Sequence, residues 1–96
     1  MALEAEGDKL VTWIRYIKIA RDAVDGMEYV PLAEKYSLSR QHVGQLTKKV
    51  LDLAAGSGSA PMIDYCRESP KYWHRQIDRI EGHVYAKLKE IGLVPG

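Results

Sequence analysis

Residues 29–51 read YVPLAEKYSLSRQHVGQLTKKVL, and the fold turns on how this stretch divides. Pro31 suits the first position of a helix, because its missing N–H is unpaired there in any case and its fixed φ is already helical. Leu32, Ala33 and Tyr36 recur at helical spacing, and Glu34 and Lys35 point the other way. Ser37-Leu38-Ser39 interrupts the pattern. Ser39 is a good N-cap for a second helix, since its hydroxyl can accept from the backbone N–H of Gln41 or His42. Val43, Leu46, Val50 and Leu51 then form a second buried stripe. The rest of this second helix is Arg40, Gln41, Gly44, Gln45, Lys48 and Lys49, a polar and basic face without a carboxylate.

Two short helices around a tight turn resemble the helix-turn-helix family of DNA-binding proteins. Ala33 matches the small residue at which the two helices of that family cross. Leu32, Tyr36, Leu38, Val43 and Leu46 match its apolar positions in order. The resemblance covers about a quarter of the chain and departs from the pattern at Ser37, where glycine is commonest. A serine there either accepts a left-handed backbone, at roughly 1 kcal/mol or more, or reshapes the turn. The bland reading of the same residues is an αα-hairpin with a solvated polar face.

The resemblance implies that the helix over 40–51 lies in the major groove of double-stranded DNA. Arginine can grip a guanine edge with two bonds, and glutamine can do the same for adenine. Arg40, Gln41 and Gln45 are therefore the expected base contacts. Ser39, Gly44, Lys48 and Lys49 are the expected contacts to the DNA backbone, which position a protein without reading sequence. A glycine in mid-helix is unfavourable by about 1 kcal/mol relative to alanine. Gly44 is explained either by close approach to DNA or by close approach to another helix.

Composition bounds these readings. The chain has 96 residues, one small domain's worth, with 46% hydrophobic and 28% charged residues, which excludes a disordered chain. A net charge of +1 excludes a general basic coat but allows a local patch. A single cysteine, Cys66, excludes an internal disulfide and fits a reducing, cytoplasmic setting. No apolar run approaches the length of a membrane span, and MALEAEGD carries no signal-peptide core.

Upstream, residues 1–7 read as a frayed lead-in, and Gly7-Asp8 as a helix start with Asp8 as cap. Leu10, Trp13, Ile14, Ile17, Ala20 and Val24 make one amphipathic face. It is expected to back the two central helices, with Trp13 as core anchor. Arg15, Lys18, Arg21 and Asp22 lie off that face and are expected in solvent, and Asp25-Gly26 ends the helix.

Downstream, residues 56–61, GSGSAP, have the composition of a flexible linker. They divide a DNA-binding domain over 1–55 from a C-terminal helical region over 62–96. Met62 to Glu68 suffices for one or two helical turns, with Cys66 as a small buried hydrophobe. Ser69-Pro70 starts a last helix, in which Trp73, Ile77, Ile80, Val84, Leu88 and Ile91 succeed one another at steps of three and four. Gly92 and Pro95 stop it, and Leu93 is placed to touch Leu88 as in a Schellman cap. So long a stripe either folds back on the domain before it or pairs with a second copy. A homodimer through these six residues is the favoured expectation, and would present two recognition helices about one DNA turn apart.

His42, His74 and His83 have no metal-ligand spacing, and no phosphate loop, catalytic triad or carboxylate pair stands out. The expected protein is thus all-α, a three-helix helix-turn-helix domain followed by a long helix. It is not an enzyme and carries no cofactor. Its expected function is transcriptional regulation, as a repressor of bacterial, plasmid or phage type. The alternatives are a phage packaging or recombination accessory factor and a protein-interaction module without DNA binding.

Overall fold

The computed structural model describes residues 2–56 and 61–92, with side chains described from Lys9 onward. The fold is all-α. Five helices succeed one another in chain order: α1 (Ala2–Val24), α2 (Tyr29–Tyr36), α3 (Arg40–Ala55), α4 (Ile63–Glu68) and α5 (Pro70–Glu90). Among the described residues there is no strand, and no helix is long and apolar enough to cross a membrane.

The first helix starts earlier than Gly7-Asp8. It runs from Ala2, so Asp8 lies inside α1 instead of capping it. Ala2-Leu3-Glu4-Ala5-Glu6 is made of strong helix formers, and together they outweigh the single unfavourable Gly7.

Helix α1 is the common partner of the other four helices. One of its sides carries Ile17, Ala20 and Val24 into a cluster with Val50 and Leu51 of α3, Cys66 of α4, and Trp73, Ile77, Val84 and Leu88 of α5. Another side carries Ile19 and Ala23, both fully buried, into a second cluster with Leu32, Ala33, Val43 and Leu46. The single stripe expected for α1 is therefore only half of its buried surface. Trp13 is a partly buried flank of the first cluster, with its ring edge-on to Tyr16 at 5.5 Å between centroids.

The apolar stripe of α5 is taken up inside the chain. Ile77 is 0% and Leu88 1% exposed, Trp73 and Val84 are buried, and Ile80 and Ile91 pack partly buried on the same cluster. The residues expected to face a second copy thus pack against this chain's own α1 and α3. Helix α5 packs on both α1 and α3, so residues before and after the linker share one core. The physical reason is that Ile17, Ala20 and Val24 on α1, with Val50 and Leu51 of α3, offer an apolar surface that α5 covers. Of the linker, Gly56 closes α3 in a left-handed conformation (φ 68°). Residues 57–60 lie outside the described part, as do Leu93 and Pro95 with the contacts expected of them.

Polar side chains stitch the C-terminal helices to the end of α1. Arg67 of α4 donates to the carbonyls of Ala23 (Nε, 2.9 Å) and Met27 (2.8 Å). Arg21, expected in solvent, bonds Asp78 and Glu81 of α5. It also donates to Nδ1 of His74 at 3.2 Å, which leaves the ring proton on Nε2, 2.6 Å from the Asp25 carboxylate. Asp22 accepts from Lys35 Nζ (2.8 Å) and from the Tyr36 hydroxyl (2.9 Å) of α2. Ser69 precedes α5 but makes no capping bond through its side chain, and Pro70 holds the first position.

Cys66 is buried as expected of a small hydrophobe, and burial pushes its thiol up to about 11.

Candidate nucleic-acid interface

The turn between α2 and α3 is built by Ser37, which takes the left-handed conformation at φ 56° and ψ 46°. It is the non-glycine residue with positive φ among the described residues. Of the two outcomes open to a serine there, the strained backbone is the one realised. The turn offsets that strain by satisfying carbonyls at the end of α2. The N–H of Leu38 reaches back to Ala33 O at 2.8 Å, the six-residue bond of a Schellman turn. The side chain of Arg15 on α1 donates to the carbonyl of Tyr36.

Ser39 then starts α3 as expected, its hydroxyl accepting from the His42 N–H at 3.0 Å. Val43, Leu46, Thr47, Val50 and Leu51 turn into the protein. Arg40, Gln41, Gln45, Lys48 and Lys49 are all exposed, so the structure brings the three expected base readers and two of the expected backbone contacts onto one outer surface. Gln45, Lys48 and Lys49 line one shallow depression with Asp52, the first carboxylate along α3.

Gly44 lies one helical turn from both Arg40 and Lys48, where α3 meets Tyr29 of α2. A Cβ built on it would stand 3.5 Å from the Tyr29 ring, an ordinary contact distance. Of the two explanations for this glycine, close approach of a neighbouring helix is the one the geometry supplies. Burial is the main cause that raises the pKa of the Tyr29 hydroxyl above its ordinary value.

The periodicity of α3 alone could not reveal what α1 adds. Lys9 of α1 and Lys49 of α3 line one cleft with Thr12, Trp13 and Tyr16. Arg15 and His42 line the next one along the same seam. From Lys9 to Ala20, α1 carries Lys9, Arg15 and Lys18 and no acid. The basic face of α3 thus continues across the seam onto α1. The only signal in the sequence was the sorting of α1's acids to its two ends.

Among the described residues no group of three or more His, Cys, Asp or Glu side chains is placed to hold a metal ion. Comparison with known proteins gives no match to a family model, to a curated protein or to a solved structure.

Proposed function

We propose that this chain binds double-stranded DNA sequence-specifically, laying α3 in the major groove, and acts as a transcriptional regulator of repressor type. One observation carries the reading. The outer face of α3 exposes Arg40, Gln41, Gln45, Lys48 and Lys49 over three turns before its first carboxylate, Asp52, while its inner face is anchored in the core. A rigid helix with a cationic, hydrogen-bonding outer face has the dimensions and chemistry of a major-groove reader. Arg40, Gln41 and Gln45 read bases in this arrangement, and Lys48 and Lys49 neutralise phosphates. A repressor needs only to occupy its site, which a domain of this size can do. Action on a two-fold site by a pair of copies would need a surface other than the α5 stripe, since that stripe is buried within the chain.

The test is fluorescence anisotropy of a mixed-sequence duplex titrated at low and physiological salt. Wild type is compared with the Arg40→Ala/Lys48→Ala double variant. Affinity is expected to fall with salt at a log–log slope of about −0.9 per phosphate neutralised. The double variant should bind far more weakly at unchanged helicity. Absence of wild-type binding even at low salt overturns the proposal and directs the search to a protein partner.

A further inference from the structure

A sizeable concavity lies away from the outer face of α3. It is an open cleft of about 780 Å³ where α1, the end of α3 and the middle of α5 diverge. That volume falls within the usual range of small-molecule sites. Leu10, Trp13, Ile80 and Val84 form its apolar floor, and Leu53 and Tyr72, each 54% exposed, stand at its sides. Gln76, Arg79 and His83 supply the polar groups, and among the described residues no carboxylate lines the cleft.

The charge around it is sorted by α5. Asp78 and Glu81 turn to Arg21 of α1 and are neutralised there. Arg79 and His83 turn to the cleft. Among the described residues the Arg79 guanidinium has a side-chain bond to Gln76 Oε1 at 3.2 Å and no carboxylate partner. A guanidinium held at the rim of an aromatic and aliphatic floor calls for an anion with an apolar body.

We infer that the cleft between α1, α3 and α5 binds a small apolar monocarboxylate, its body on Trp13, Ile80 and Val84 and its carboxylate on Arg79. This site does not rest on the DNA reading and can stand or fall without it.

The experiment is a titration of the full chain with decanoate and with 4-phenylbutyrate, monitored by two-dimensional ¹H–¹⁵N NMR. Decanol serves as the uncharged counterpart. Saturable shifts are expected at Leu10, Trp13, Ile80 and Val84. Arg79→Gln should weaken carboxylate binding about tenfold or more while leaving decanol unchanged, as for the loss of a charge-assisted bond. Arg79→Lys should recover part of the loss, and circular dichroism of both variants should match wild type. The inference is overturned if neither acid gives saturable shifts, if the shifts map elsewhere, or if decanol or Arg79→Gln binding equals that of the acid to wild type.

Discussion

Arg67 on the short helix α4 closes the C-terminal end of α1, its Nε donating to the carbonyl of Ala23 at 2.9 Å across forty-four residues of sequence. The last carbonyls of a helix have no partner within it, and the dipole there favours a cation. A second donor of the same guanidinium takes Met27 O at 2.8 Å, so one side chain fixes both the helix end and the loop that leads to α2. Replacing Arg67 by Met keeps much of the stem and removes both bonds. We expect a loss on the order of 2 kcal/mol, seen as a fall in Tm of roughly 10 °C. Thermal circular dichroism measures it, and an unchanged Tm would reduce the contact to decoration.

Ser37 holds a left-handed backbone that glycine adopts without a Cβ clash. Ser37→Gly is expected to stabilise by about 0.5–1 kcal/mol, the relief of strain exceeding the added freedom of the unfolded chain. Ser37→Val should destabilise, because a β-branched side chain fits that region worst. Urea unfolding of the two variants should displace the midpoint in opposite directions.

Gly44→Ala separates the two explanations of that glycine. Its new methyl would meet the Tyr29 ring at 3.5 Å, which requires no rearrangement. The variant should be more stable by up to about 1 kcal/mol from helix propensity. DNA affinity should stay within about twofold of wild type, well under the tenfold that 1.4 kcal/mol represents. A large loss of affinity at retained stability would return Gly44 to the binding surface.

Ile77→Ala tests where the α5 stripe is used. The side chain is fully buried among residues of the same chain. We expect a loss of roughly 2–5 kcal/mol. The Tm of wild type and variant should be independent of protein concentration, since mass action does not enter the folding of a single chain. A wild-type Tm that climbs with concentration would place the stripe between copies after all.

The Cys66 thiol ionises near 9 in an unfolded chain and is raised to about 11 by burial in the folded one. The folded state therefore holds this proton more tightly. Its contribution is fully present below pH 9 and is lost as pH rises toward 11, on the order of 2–3 kcal/mol in all. Cys66→Ala should flatten the alkaline limb of the stability profile. In wild type at pH 8, the thiol should react with a disulfide reagent only as fast as the protein opens.

Much of this architecture was legible along the chain because its signals are local. Ser39 as a cap, the stripe of α3 and the proline start of α5 each depend on neighbours within a turn or two. The second buried side of α1 was not legible. Ile19 and Ala23 fall between the members of the first stripe, and only the arrival of α2 from the other side buries them. The same holds for Arg21, whose neighbours in sequence say solvent while Asp78 and Glu81 lie sixty residues on. The polar face of α3 could be read from its spacing, whereas its extension by Lys9 and Arg15 required the packing of two helices side by side.

The two buried sides of α1 are completed at different moments as the chain is synthesised. Ile19 and Ala23 meet their partners once residue 46 has left the ribosome. Ile17, Ala20 and Val24, met first by Val50 and Leu51, wait also for Ile77, Val84 and Leu88, roughly thirty to forty residues after residue 46. For that interval the nascent protein carries an apolar strip covered only in part, by Val50 and Leu51, beside a helical unit that can already close. Whatever guards that strip during translation, a chaperone or the ribosome surface itself, must let go only when α5 emerges to replace it.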